Sequence, residues 1–74
     1  MYLGILVESY LRKLKRITPY WVKHNSEHID EHQKWMEDAQ KLGLTEVANE
    51  LGVVIDLLKE ANKYIDSIIK KINK

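Results

Sequence analysis

A chain of 74 residues with 12 basic and 11 acidic side chains, and a formal net charge of +1 at pH 7, has no overall field that would attract nucleic acid or an anionic membrane. It contains no cysteine, so disulfides and thiolate metal sites are excluded and any metal must be bound by His, Asp or Glu. No apolar stretch approaches the roughly 20 residues that cross a bilayer, and the apolar run at 1–7 lacks the features of a signal peptide. A soluble, cytoplasmic protein is therefore expected.

Two breaks divide the sequence into three predicted helices that form one domain. Thr18 can cap a helix and Pro19 suits a first helical position, whereas Gly43 suits the left-handed residue that ends a helix and Thr45 can cap the next one. The expected helices span about 2–17, 19–42 and 45–72. Because short connections make neighbouring helices antiparallel, the predicted fold is an all-α, up-down-up three-helix bundle.

Each predicted helix carries a stripe of residues at spacings of three and four, the pattern of a packed helix face. On the first helix the stripe is Leu3, Val7, Tyr10, Leu14 and Ile17. On the second it is Trp21, His24, His28, His32, Trp35, Ala39 and Leu42, and on the third Val47, Leu51, Val54, Leu58, Ala61, Ile65, Ile68 and Ile72. The unequal helix lengths and the apolar residues at 2–7 predict self-association, through the first helix or the overhanging end of the third.

The second stripe is polar in its middle, where His24, His28 and His32 follow one another at intervals of four residues. Residues four apart on a helix can reach one ion, so His28 with either neighbour is a candidate metal-binding pair. His24 and His32 are about 12 Å apart along the axis, too far to share that ion. The candidate carboxylate ligands are Glu8, Glu27, Glu31, Asp56 and Glu60. Imidazole and carboxylate ligands suit Zn²⁺, Ni²⁺, Co²⁺ or Fe²⁺.

The expected antiparallel packing also predicts which residues face each other. If the second and third helices turn back at Gly43, positions whose numbers sum to about 87 lie opposite, which pairs Trp35 with Gly52. If the first and second helices turn back in the same way, Glu8 falls near His28. That turn makes Glu8 the carboxylate that the first helix would contribute to a metal site.

Other functional classes have less support in the sequence. The run 24–28 matches the H-x-x-E-H signature of a zinc peptidase class, but such an enzyme also needs a third protein ligand and a substrate cleft. No enzymatic activity is expected. The basic cluster Arg12, Lys13, Lys15 and Arg16 is typical of a solvated helix face, so nucleic acid is not an expected partner.

Segment 20–28, YWVKHNSEH, is followed by Trp35, Ala39, Gly43-Leu44, Val47-Ala48 and Glu60-Ala61-Asn62. Together these residues resemble a small prokaryotic helical domain of unknown function, whose members carry a Trp-x-x-His-Asn-x-Glu-His core. The resemblance covers the second and third predicted helices and implies a helical hairpin with an unassigned role. Tyr20 stands where similar chains have a histidine, which removes one potential ligand.

Two hypotheses follow. The first is a non-enzymatic helical protein that binds a divalent transition metal through the histidine row, in order to carry, sense or store it. The alternative is a homo-oligomeric protein interaction module whose histidines are structural or respond to pH.

Overall fold

The computed structural model describes residues 2–74, with side chains from residue 3 onward, as two long antiparallel helices. Helix α1 spans Tyr2–Lys41 and helix α2 spans Thr45–Ile72. The predicted three-helix bundle is therefore wrong, because the first two predicted helices are one continuous helix. The third predicted helix has the bounds expected from the sequence.

Pro19 lies inside α1 and does not begin a new helix, contrary to the prediction from the sequence. The Thr18 hydroxyl donates a hydrogen bond to the carbonyl oxygen of Leu14 at 2.9 Å, one turn earlier, so this fully buried side chain does not act as a cap. An interior proline costs a helix about 3 kcal/mol. However, Ile17 and Trp21 are four residues apart, so the apolar pattern crosses the proline in phase. A continuous helix keeps the apolar residues before and after Pro19 on one face, whereas a loop at Pro19 would separate them.

The connection at Gly43 forms as predicted. Gly43 has a φ of 75°. Its N–H donates a hydrogen bond to the carbonyl oxygen of Gln40 at 3.1 Å, and the N–H of Leu44 donates to the carbonyl oxygen of Ala39 at 2.9 Å. These two bonds form the Schellman arrangement that closes a helix C-terminus. The cap predicted at Thr45 is wrong: Thr45 is the first residue of α2, and Leu44 precedes it without a side-chain capping bond.

The register of the hairpin agrees with the predicted sum of 87, but α1 is rotated about its own axis relative to the predicted packing. The Asn25 side-chain amide donates to the Asn62 side-chain oxygen at 3.1 Å. A Cβ placed on Gly52 would meet the Met36 sulfur at 3.6 Å, whereas Trp35 is 62% exposed. The predicted Trp35–Gly52 pairing is therefore wrong. The observed inward face keeps only His32 and Ala39 of the stripe predicted for the second helix, and the tryptophans of that stripe lie beside the helix contact rather than in it.

The residues between the two helices repeat every seven positions on each helix. On α1 they are Thr18, Val22, Asn25, Ile29, His32, Met36 and Ala39, and on α2 Ala48, Leu51, Ile55, Leu58, Asn62, Ile65, Ile69 and Ile72. The buried apolar residues of the described chain are Ala39, Ala48 and Ile55. Small side chains allow close helix approach, but each helix has a neighbour on one side only. The core is consequently thin.

The two helices differ in length, and the N-terminal part of α1 extends beyond α2. At about 1.5 Å per residue they measure about 60 and 42 Å, and the longest dimension of the hairpin is 61 Å. In the observed register Ile72 lies opposite residue 15. The overhanging turns expose Leu3, Ile5, Leu6, Val7 and Tyr10. The side chain of Tyr2 lies outside the described residues.

Candidate functional site

The histidine row lies on the part of α1 that pairs with α2. His24 is exposed, whereas His28 and His32 are partly buried. The Nε2 atoms of His24 and His28 are 3.0 Å apart, so one ring can donate its N–H to the other. Their ring centroids are 4.4 Å apart and the ring planes are nearly perpendicular, at 87°. The structure thus brings one of the two candidate pairs together at its nitrogen atoms.

The other candidate pair has a different geometry. The rings of His28 and His32 stack with centroids 5.9 Å apart and planes 17° apart. Nearly parallel stacked rings direct their nitrogen lone pairs side by side, so they do not converge on one ion. Tyr20 stacks on His24 in the same way, with centroids 5.6 Å apart and planes 19° apart. Four rings at intervals of four residues therefore form one continuous row along α1.

The predicted carboxylates do not complete a metal site with the histidines. Since α1 has no turn at residue 18, Glu8 lies about 30 Å from His28 along the same helix, and the predicted approach of Glu8 is wrong. The remaining candidates are exposed: Glu27, Glu31, Asp56 and Glu60. Across residues 2–74, no group of three or more His, Cys, Asp or Glu side chains is arranged to hold a metal ion.

A second feature is an apolar surface along one side of the hairpin, which we call the apolar flank. It is made of one residue in every seven on each helix, the one that precedes every second residue of the inward-facing row, and in an antiparallel pair these positions lie on the same side. On α1 they are Trp21, His28, Trp35 and Leu42, and on α2 Val47, Val54, Ala61 and Ile68. The large apolar members are exposed by between 37% at Ile68 and 75% at Leu42.

The opposite side of the hairpin has no comparable surface. The corresponding positions there, which follow the other members of the inward row, are Pro19, Ser26, Gln33 and Gln40 on α1, and Gly52, Lys59, Asp66 and Asn73 on α2. These side chains are small or polar. Of the two sides along the seam between the helices, one is therefore apolar and the other polar. Further large apolar side chains, Val53, Leu57 and Tyr64, are exposed on the outer face of α2.

The apolar flank continues onto the overhanging part of α1 as a shallow groove. The groove is lined by Tyr10, Leu14, Ile17 and Trp21, with the basic residues Lys13 and Arg16 beside them. The residues predicted as separate stripes on the first and second helices thus belong to one continuous helix, from Leu3 to Leu42. The signal that could have revealed it is the unbroken alternation of three and four across Pro19.

Comparison with known proteins shows that the hairpin matches a protein family. The family described as a domain of unknown function, DUF8180, matches residues 14–72. These residues coincide with the paired part of the hairpin, and the overhanging turns of α1 precede them. No curated protein and no solved structure matched the chain. In the described part of the chain, neither helix combines the length and apolar character needed to span a membrane.

Proposed function

The chain belongs to the DUF8180 family of domains of unknown function, and we propose that it works as a self-associating interaction module rather than as an enzyme. The observation that carries this proposal is the apolar flank, which gathers both tryptophans and the exposed valines of one side onto a single surface. In the proposed assembly a second copy packs on this flank, and two hairpins form a four-helix arrangement.

The surface area of the hairpin supports a second copy as the occupant. The accessible area is 6219 Å², whereas a compact monomer of 8.8 kDa exposes roughly 4,800 Å². The radius of gyration is 17.4 Å, against about 11 Å for a compact domain of this length. The excess of about 1,400 Å² per chain is in the range that each partner contributes to an obligate homodimer. In a two-fold symmetric dimer the same surface patch of each subunit forms the interface, so the apolar flank of one copy would pack against the apolar flank of the other.

Sedimentation equilibrium at tens of micromolar protein tests the proposal directly. The expected result is a mass twice the 8.8 kDa of the chain. A pure monomer at these concentrations would contradict it. Removal of residues 2–13 separates the contribution of the overhanging turns from that of the hairpin. If the apolar flank is sufficient, the shortened chain remains a dimer.

Metal binding is the second candidate function, and the 3.0 Å approach of the His24 and His28 Nε2 atoms is the observation that favours it. Water or nearby carboxylates, of which Glu27 and Glu31 are adjacent in sequence, would supply the remaining ligands. The proposed role is to carry, sense or store a divalent transition metal in the cytoplasm. Calorimetric titration with Ni²⁺ and Zn²⁺ tests this candidate, and binding no tighter than millimolar for either ion would exclude it.

A further inference from the structure

The overhanging turns of α1 carry an apolar stripe that lies beyond the end of α2. Its members recur at spacings of four and three and are exposed or half-buried; they are Leu3, Val7, Tyr10 and Leu14, and we call them the overhang stripe. Helix α2 ends at Ile72, beside residue 15. The family match begins only at residue 14. The overhang stripe is therefore an apolar addition to the hairpin that α2 leaves uncovered.

The direction of the overhang stripe indicates where a covering partner would lie. At about 100° per residue, its members point about 20–80° away from the inward-facing Thr18, toward the side of Trp21. Tyr10 and Leu14 share one shallow groove with Trp21, in agreement with that direction. In a four-helix arrangement each helix has two neighbours at right angles, and the central axis lies about 45° from each of them. With α2 as one neighbour and a second copy on the apolar flank as the other, the overhang stripe points at the central axis.

Two hairpins can pack flank to flank around a two-fold axis in two ways. If the two-fold axis runs along the helices, both overhangs leave the same end of the dimer and their stripes face each other. If it crosses the helices, the overhangs leave opposite ends, and each extends past the partner's turn with its stripe uncovered. Only the first arrangement buries the stripe, whose exposure in the single chain reaches 75% at Leu3.

The charges of the overhang are compatible with a parallel contact between two copies. The charged residues on the side of α1 away from the stripe are Glu8, Arg12, Lys15 and Arg16, and Lys13 lies at its edge. No like charges then face each other across the centre of the pair. Arg12 and Arg16 would also point away from a lipid surface that the stripe contacted. Their placement therefore favours a second copy over an anionic membrane as the occupant.

Pro19 favours the same contact. It lies about 150° around α1 from the centre of the overhang stripe. The proline ring crowds the carbonyl group four residues earlier, which bends a helix toward the face opposite the proline. Such a bend tilts the overhang toward the central axis, where two overhangs can approach each other beyond the ends of the α2 helices.

We propose that the overhang stripe packs in parallel against the same stripe of a second copy, so that the two-fold axis of the dimer runs along the helices. This inference rests on the proposed dimer and adds its orientation and a second contact, a parallel helix pair formed by residues 3–14. In this pair Leu3, Val7 and Tyr10 each face their own counterpart in the other copy.

Single-cysteine variants test the orientation, because the chain has no cysteine of its own. Val7→Cys changes the overhang stripe, and Ile5→Cys is the matched control on the opposite side of the same turn; Val7 is 54% and Ile5 65% exposed. In the proposed dimer the two Val7 Cα atoms come within the roughly 4.4–6.8 Å that a disulfide spans. With the two-fold axis across the helices they would be about 60 Å apart.

Oxidised glutathione is the oxidant, and non-reducing electrophoresis measures the linked dimer. We expect Val7→Cys to form a disulfide-linked dimer at least tenfold faster than Ile5→Cys at tens of micromolar protein. Sedimentation equilibrium under reducing conditions verifies that both variants associate as the unaltered chain does.

The possible failures are distinguishable. A purely monomeric unaltered chain contradicts the proposed dimer and the inference with it. A dimer in which Val7→Cys is linked no faster than Ile5→Cys leaves the dimer standing and overturns the parallel contact. Cosedimentation of the chain with phosphatidylserine vesicles, without preferential linking of Val7→Cys, assigns the overhang stripe to a membrane surface and likewise overturns the inference.

Discussion

Replacing Val54 by glutamate should dissociate the proposed dimer without unfolding the hairpin. Val54 belongs to the apolar flank and is 39% exposed in the single chain. Full burial of a valine side chain contributes about 1.5–3 kcal/mol, so the part still exposed corresponds to roughly 0.6–1.2 kcal/mol per chain, or about 1–2 kcal/mol per dimer. A glutamate buried at the interface adds a desolvation penalty. We therefore expect the dissociation constant to rise at least tenfold, since about 1.4 kcal/mol is a factor of ten.

The neighbouring residue provides a matched control for this substitution. Val53 is on the same helix and is 56% exposed, but it points away from both the inward row and the apolar flank. Val53→Glu introduces the same charge with the same small gain in helix propensity. Sedimentation equilibrium of both variants at matched concentrations measures the difference. Equal dissociation constants for Val53→Glu and Val54→Glu would refute the assignment of the flank as the interface.

Three glycine and proline substitutions test the fold by thermal or urea unfolding at one protein concentration. Pro19→Ala should raise the free energy of unfolding by about 1–3 kcal/mol, because it restores an interior helix hydrogen bond; a loss of stability would indicate a helix start at this position. Gly43→Ala should lower it by about 1–2 kcal/mol, since the φ of 75° is strained for alanine although its Cβ meets no atom within 4 Å; an unchanged midpoint would argue against this turn. Gly52→Ala should raise it by up to about 1 kcal/mol, because the new Cβ makes an ordinary 3.6 Å contact with Met36. Destabilisation by Gly52→Ala would instead favour a close approach of Trp35.

The features that could be predicted from the sequence are those that depend on residues near one another along the chain. The end of α1 at Gly43 follows from its conformational freedom, and the bounds of α2 follow from its periodicity. The antiparallel register follows from the position of that turn, and the Asn25–Asn62 hydrogen bond agrees with it. The spacing of the histidines on one helix face likewise needs no tertiary information.

The error at Pro19 has a physical cause. A threonine followed by a proline is a strong local signal for a helix start, because the missing N–H costs nothing at the first position. In this chain the packing of α1 against α2 outweighs that signal, and the buried Thr18 hydroxyl bonds back to Leu14 inside the helix. The four-residue spacing between Ile17 and Trp21 indicates a continuous helix, but these two residues were assigned to two different predicted helices.

The sequence by itself determined the helical class, the turn at Gly43, the register of the hairpin and the placement of three histidines on one side of α1. Only the tertiary structure decided which of two apolar rows on α1 faces α2, because that choice depends on how closely the side chains of two helices fit together. The row containing Thr18 and Ala39 packs against α2, and the row containing Trp21 and Trp35 is left on the apolar flank. The ring orientations were likewise decided by the tertiary structure. The Nε2 atoms of His24 and His28 approach each other, whereas the ring of His32 stacks on that of His28.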